Sequence, residues 1–359
     1  MFVPELECGG AQRVMLLLAR EFVARSHGVD LILAQARGSL MEEIPPAVQV
    51  VDLRASAGWF GAFGLGSSST VRLSRYLRAE RPDAMLSTLT GANLVAVAAR
   101  TLSGVRTRLV LREAVSLKNR KGGIWQRLMA SMYLHADAVV TLSPALEREM
   151  MEALSIPRGR LHCIPNPVDV AKLWSLAEAP LDDLRFESAA YPFIIAVGRL
   201  IEQKDHATLI RAFARVATGT NLHLVILGEG PLRYRLEQLV RQLGLGERVH
   251  MPGHDPNPWR WMTRARLFVL SSRWEGHPNA VLEALALGIP VVVTQYDESA
   301  QETVGDGGRV AALGNVAGLA DAIVGELGRT KRPSPNVVPT ASSIASRYLQ
   351  LMLNGASPC

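Results

Sequence analysis

Ser271-Ser-Arg-Trp-Glu-Gly-His-Pro-Asn-Ala-Val-Leu-Glu-Ala-Leu-Ala-Leu-Gly-Ile-Pro-Val291 is the stretch of this 359-residue chain whose reading decides the fold. The apolar run Leu267–Ser271 leads into it and reads as a buried strand that ends at Ser272. A loop then carries Glu275, and Pro278 suits the first turn of a helix, where its missing N–H is not needed. Gly288 caps that helix and Pro290 opens the next strand, Pro290–Thr294. Open sheets built this way bind ligands in the crevice at the carboxyl ends of their strands, which is where Glu275 falls. Glu283 follows on the helix, and the amides of Asn279, Ala280 and Val281 at its start point toward the same crevice. Helix-start amides suit a diphosphate, and two carboxylates suit the hydroxyls of a sugar and a ribose. A solvent-facing loop glutamate and a glutamate that favours the helix dipole would give the same two residues without a ligand.

Working outward, short apolar runs alternate with helical patterns on both sides of this stretch. In the first half the strands read as Asp30–Ala34, Val48–Leu53, Ala84–Thr88, Thr107–Arg112 and Ala138–Leu142, with helices over Ala11–Arg25, Thr70–Arg81, Ala92–Leu102 and Pro144–Leu154. In the second half Phe193–Val197, Leu222–Leu227 and Arg248–Met251 join the two strands above, with helices over Ala207–Ala217, Leu232–Leu243 and Asn279–Leu287. Two doubly wound α/β domains follow, as the length of the chain also predicts. Their expected bounds are 1–175 and 191–330, with a linker over 176–190 where periodicity lapses. Residues 331–359 hold a Pro-rich segment and a last helix, Ala341–Leu353, placed to cross back to the first domain. Met1–Leu6 makes a very short opening strand, because a glycine turn arrives already at Gly9. Either that strand is clipped, or the first domain is weakened there at an edge or at its centre.

Composition narrows the partners. With 48% hydrophobic and 20% charged residues the chain is globular, and disorder is excluded. Its +6 charge sits wholly in residues 1–175, which carry 21 Lys/Arg against 15 Asp/Glu, while the remainder carries 18 of each. Arg100–Arg127 alone holds Arg100, Arg106, Arg108, Arg112, Lys118, Arg120, Lys121 and Arg127 against the single acid Glu113. Such a patch favours an anionic partner, and a solvated basic loop is the plain alternative. No nucleic-acid recognition motif accompanies the charge, so nucleic acid is not an expected partner. Cys8, Cys163 and Cys359 show neither metal-ligand nor disulfide spacing, which fits a reducing cytoplasm. The N-terminus lacks the pattern of a signal peptide, and no apolar run reaches the roughly 18–20 residues that span a bilayer, so any membrane contact is expected to be peripheral. Residues 55–70, with Trp59, Phe60 and Phe63 among glycines and serines, read either as a mobile acceptor-binding loop or as an ordinary surface loop.

A second chemical element follows the first strand of the second domain, in Ala196-Val-Gly-Arg-Leu-Ile-Glu-Gln-Lys-Asp-His206. Arg199 and Lys204 leave the carboxyl end of that strand, and two cations there can neutralise a diphosphate and stabilise its departure. Gly9-Gly10 can bring backbone amides close to an anion. Gly228-Glu-Gly-Pro-Leu232 lacks the third glycine and the acidic partner of a dinucleotide site. No Asp-x-Asp occurs, so a metal clamp has no evident ligands, and neither a metal nor another cofactor is expected.

The Glu275-to-Glu283 spacing, with Glu-Gly-x-Pro-Asn around it, resembles the Glu-x7-Glu signature of the family-4 retaining glycosyltransferases. The resemblance extends over Arg199 and Lys204, Gly228-Glu-Gly-Pro-Leu232, Ser143 and Ile164-Pro-Asn-Pro-Val-Asp169, and so runs from about Gly9 to Ala322. It implies the GT-B architecture, in which two Rossmann-like doubly wound domains face a central cleft. It also implies a nucleotide diphosphate sugar as co-substrate, with Glu275 on the transferred sugar, Glu283 on the ribose, Arg199 and Lys204 on the diphosphate, and Gly10 near the donor phosphate. Configuration at the anomeric carbon would be retained. His277 departs from the aromatic or aliphatic residue usual at its position, which bears on sugar fit. The expected activity is transfer of a hexose or N-acetylhexosamine from a UDP-sugar to a glycan or polyprenyl-diphosphate-linked glycan, for cell-surface polysaccharide or glycolipid. The basic residues Arg112, Lys118, Arg120 and Lys121 would lie on the acceptor or membrane side, at the inner face of the cell membrane. A sugar-nucleotide 2-epimerase and a non-catalytic GT-B-like binding subunit are the alternatives.

Overall fold

The computed structural model describes residues 1–7, 9–55, 68–115, 123–188, 190–329 and 338–353. Contacts divide the chain into two units, one made of Met1–Pro167 with Pro339–Cys359 and the other of Val168–Val338.

In the first unit seven parallel strands form one sheet: β1 (Phe2–Val3), β2 (Asp30–Leu33), β3 (Gln49–Asp52), β4 (Ala84–Thr88), β5 (Arg108–Arg112), β6 (Ala138–Thr141) and β7 (Leu161–Cys163). Their order is β3-β2-β1-β4-β5-β6-β7, so the chain winds outward from β1 and then reverses between β1 and β4. Strands covered on both faces need continuous apolar runs, and Leu109, Val110 and Leu111 of β5 are fully buried accordingly. The opening strand is short but central. Phe2 and Val3 are fully buried, and the Ile32 amide donates to the Met1 carbonyl at 2.8 Å.

Helix Ala341–Leu353 belongs to this first unit, where Ile344, Ala345, Tyr348 and Leu351 share a core with Val14, Leu18 and Phe22. Arg108 Nε donates to the Leu351 carbonyl at 2.6 Å, and Arg347 Nη2 to that of Cys163 at 2.7 Å. The helix is thereby fastened to the ends of two strands.

The second sheet repeats the same winding with six parallel strands: β8 (Phe193–Val197), β9 (His223–Leu227), β10 (Val249–Gly253), β11 (Leu267–Leu270), β12 (Val291–Thr294) and β13 (Gly308–Ala311). The order β10-β9-β8-β11-β12-β13 reverses between β8 and β11. One face packs on helices His206–Ala217 and Val316–Leu327, the other on Asn279–Ala286, Trp259–Met262 and Val170–Ala177.

Residues 176–190, expected from the sequence to be a linker, place Leu181 and Phe186 in the core of this unit, beside Phe193, Trp259 and Trp261. Two well-spaced apolar anchors fasten a segment that has no periodicity, while most of its other described residues stay at the surface. Strands β7 and β13 and the helices Ile124–Tyr133, Val170–Ala177, Trp259–Met262, Ala300–Val304 and Val316–Leu327 are among the elements added to those read from the sequence.

Candidate functional site

The reversal of strand order in the second sheet places the loops after β8 and β11 side by side, at the position where such sheets hold ligands. The first loop runs through Arg199 to a single turn, Glu202–Lys204, and ends at Asp205. Asp205 adopts φ +43° and caps helix His206–Ala217, where its carboxylate accepts from the Thr208 amide and from the Thr208 hydroxyl at 3.0 Å. Four hydrogen bonds stitch this loop to the second one. Ser271 Oγ donates to the Lys204 carbonyl at 2.9 Å, the Arg273 amide to the Gln203 carbonyl at 2.8 Å, Gln203 Nε2 to the Trp274 carbonyl at 2.9 Å, and Arg273 Nε to Asp205 Oδ2 at 3.2 Å.

That frame brings Lys204 and Glu275 together. Lys204 Nζ donates to Glu275 Oε1 at 2.6 Å, and the Ser272 hydroxyl donates to the same oxygen, also at 2.6 Å. Glu275 is only 7% exposed, so its charge is largely withdrawn from water and its partners replace that water. Ser272, fully buried at the strand end, is a member of the cluster that the sequence offers only as a strand terminus.

Arg199 stands differently. It is exposed, and its guanidinium has no hydrogen bond or ion pair among the described residues, although its backbone is fixed on both sides. The Gly198 amide donates to the Leu227 carbonyl and the Leu200 amide to that of Glu229, each at 2.9 Å. Gly228-Glu-Gly230 lies so close that a Cβ on Gly228 would sit 2.0 Å from the Gly198 carbonyl oxygen, and one on Gly230 would sit 2.5 Å from that of Leu200. Gly228 also has φ +147°, which side-chain-bearing residues avoid. The two glycines therefore seat the loop that carries Arg199.

Beneath this loop His206 is buried, and its pKa falls to about 4, first through burial and then through the Lys204 cation. A neutral imidazole adds no further charge beside Lys204.

Glu283 extends from helix Asn279–Ala286, and its Oε2 accepts a hydrogen bond from Trp259 Nε1 at 3.0 Å. Asn279 and Ala280 open that helix with no side chain capping it. The Val281 amide corrects the sequence expectation: it donates to the Pro278 carbonyl at 3.0 Å, because the first turn is tight, and the Val281 side chain is fully buried. A cavity of about 790 Å³ opens near the end of β10, lined by Phe186, His250, His254, Asp255 and Trp261 among others, and it is lined by none of Arg199, Lys204, Glu275 and Glu283.

Two of the predicted residues that the structure describes belong to the first unit. Gly10 is exposed and begins helix Gly10–Ala24, as the glycine turn leads one to expect. Arg112 corrects the idea of a basic surface at that position, because it is fully buried at the carboxyl end of β5. Arg112 Nη1 donates to Thr88 Oγ1 at 2.9 Å, and Nη2 donates to Asn166 Oδ1. Its neighbour Glu113 is equally buried and accepts from Tyr133 Oη at 2.5 Å and Thr90 Oγ1 at 3.0 Å. Arg100, of the same basic run, pairs with Asp137. Lys118, Arg120, Lys121, Trp59, Phe60 and Phe63 lie outside the described residues. Among the described residues no cluster of His, Cys, Asp and Glu could hold a metal ion, and no helix is long and apolar enough to cross a membrane.

The chain matches two family models, glycosyl transferase 4-like domain over residues 9–167 and glycosyl transferases group 1 over residues 183–324. The N-acetylgalactosamine-N,N'-diacetylbacillosaminyl-diphospho-undecaprenol 4-alpha-N-acetylgalactosaminyltransferase of Campylobacter jejuni is 34% identical over 220 residues, 60% of this chain and 58% of that protein. The lipopolysaccharide core biosynthesis glycosyltransferase LpsE of Rhizobium meliloti is 31% identical over 195 residues, 54% of each chain. The alignments thus span little more than half the length of these curated relatives. In fold, the chain is similar to Anabaena Alr3699/HepE, solved in complex with UDP and glucose, with a TM-score of 0.76 at 20% identity over 98% of this chain and 94% of that one. The lipopolysaccharide outer core galactosyltransferase WaaB gives 0.73 at 18% identity, over 99% of this chain and all of the other. The architecture is the GT-B fold, and with both family models matched along its length the chain belongs to the group 1 glycosyl transferases.

Proposed function

We propose that this chain transfers a hexose or N-acetylhexosamine from a UDP-sugar to a glycan acceptor carried on a polyprenyl diphosphate, with retention at the anomeric carbon and without a metal ion. The observation that carries the proposal is the Lys204–Glu275 pair at the strand reversal of the second sheet, with Arg199 exposed on the same loop. The Campylobacter relative is named for an undecaprenyl-diphosphate-linked substrate, and the Anabaena neighbour was solved with UDP, which supports both halves of the reading.

In this scheme the donor diphosphate lies against Arg199, Lys204 and the opening amides of Asn279 and Ala280. An ammonium group has three donors, so Lys204 can hold Glu275 and a phosphate oxygen together. Glu275 directs its carboxylate at the sugar hydroxyls, and Glu283 takes the ribose. As the bond from the anomeric carbon to the phosphate oxygen breaks, the acceptor oxygen bonds to the same face of that carbon. The acceptor proton passes to the departing phosphate oxygen. The cations stabilise the charge that develops there, a role that elsewhere contributes about 10²–10³ in rate per donor removed.

The test is incubation with UDP-glucose, UDP-galactose and their N-acetylated counterparts, with and without a polyprenyl-diphosphate-linked saccharide, in EDTA, with the product read by NMR. Acceptor-dependent transfer that retains the anomeric configuration is expected. An inverted product, a requirement for added metal, or interconversion of the UDP-sugar without acceptor would each overturn the corresponding part. Lys118, Arg120 and Lys121 are assigned to anionic lipid at the inner face of the membrane. Flotation with anionic vesicles should weaken on raising the salt and on replacing all three with Ala, and indifference to both removes the assignment.

A further inference from the structure

We infer that Trp259 is a positioning residue for the donor, because its indole N–H fixes the carboxylate of Glu283 through the 3.0 Å bond to Oε2. The inference rests on the proposed donor site and adds a residue to it. An indole N–H donates only, so it engages the carboxylate without competing for the hydroxyl protons that Glu283 would accept. A hydrogen bond to a carboxylate is charge-assisted, and this one removes freedom that a glutamate side chain would otherwise lose on binding a ligand.

The platform under Trp259 is built for rigidity. Trp259 is 7% exposed and lies on the single helical turn Trp259–Met262. The segment around that turn is tied to residues 176–187 by bonds that include Asn257 Nδ2 to the Leu176 carbonyl at 2.7 Å, Arg260 Nη1 to the Pro180 carbonyl at 2.7 Å, Arg260 Nη2 to Asp182 Oδ2 at 2.7 Å and Arg264 Nε to Glu187 Oε2 at 2.5 Å. The neighbouring indole of Trp261 serves the platform itself, donating to Asp255 Oδ2 at 2.8 Å. Of the two tryptophans, one secures the loop and the other reaches across it to the helix of Glu283.

The test compares UDP affinity by calorimetry, together with donor KM and kcat, in the wild type and in variants. Trp259→Phe keeps the ring and loses the N–H. It should weaken UDP binding and raise donor KM about tenfold, with a smaller change in kcat. Trp259→His restores a ring N–H and should recover part of the loss. In Glu283→Gln the further change Trp259→Phe should add little, since the bond it removes serves that carboxylate. A merely structural tryptophan would instead lower thermal stability in every variant and act additively with Glu283→Gln. Trp259→Phe with wild-type UDP affinity, or full additivity, overturns the inference alone. Absence of UDP binding by the wild type sinks the donor site and this inference with it.

Discussion

The two sheets of this protein wind in the same order and reverse at equivalent places, yet they treat the charges near their carboxyl ends in opposite ways. In the second unit Arg199 stays exposed, and the Lys204–Glu275 pair sits in loops that open from the strand ends. In the first unit Arg112 and Glu113 turn inward and are spent on Thr88, Asn166, Tyr133 and Thr90. Topology fixes where a crevice forms, and in the second unit it leaves an exposed Arg199 beside the Lys204–Glu275 pair, whereas in the first the neighbours of Arg112 and Glu113 take up both charges. On the proposed reading Arg199, Lys204 and Glu275 meet the donor, whereas Arg112 and Glu113 hold the fold together, and variants should separate the two.

The largest separation is expected at Glu275. Glu275→Gln keeps the shape and removes the charge, and it should lower kcat by about 10²–10³. The melting temperature should move little, because the Ser272 hydroxyl remains to satisfy the amide. A variant that melts early and turns over normally would reverse the assignment. Arg112→Ala should do the opposite. It strands the Asn166 and Thr88 oxygens in the interior and costs about 3 kcal/mol of stability, while UDP affinity stays at the wild-type value. Chemical denaturation followed in parallel with UDP titration checks both halves.

A comparable effect in acid should come from His206. Its folded pKa of about 4 lies below the ordinary 6.5, so the unfolded chain binds the proton more readily. The stabilisation is complete above about pH 6.5 and is lost as the pH falls toward 4, amounting to about 3 kcal/mol across that window. Denaturant midpoints measured at pH 6.5 and 4.5 should converge in His206→Asn relative to the wild type. An equal slope in both proteins would place the acid sensitivity elsewhere.

Much of this contrast was legible in the sequence, but unevenly. Glu275 announced itself because a strand end, a helix-compatible proline and a capping glycine converge around it within one short stretch. Lys204 could be placed beside the same strand ends, whereas its pairing with a residue 71 positions away is a product of the sheet order. Trp259 gives no signal, since a tryptophan in the mixed stretch Asp255–Arg266 carries no pattern that shows whether its N–H has a task. Arg112 departs from the sequence expectation for a physical reason. Counting charge treats every arginine as surface, but Leu109, Val110 and Leu111 carry the strand inside and Arg112 goes with them. Residues 176–190 show no period because single side chains, such as Leu181 and Phe186, anchor them to the core of the second unit.

The central claim is that the strand reversal of the second sheet is the donor site. Titration of UDP into the wild type and into an Arg199→Ala/Lys204→Ala double variant, with folding verified by circular dichroism, tests it most directly. Two cations lost from a diphosphate should weaken binding at least about a hundredfold, taking each charge-assisted contact at about 1.5 kcal/mol. A folded double variant that binds UDP as tightly as the wild type would contradict the account.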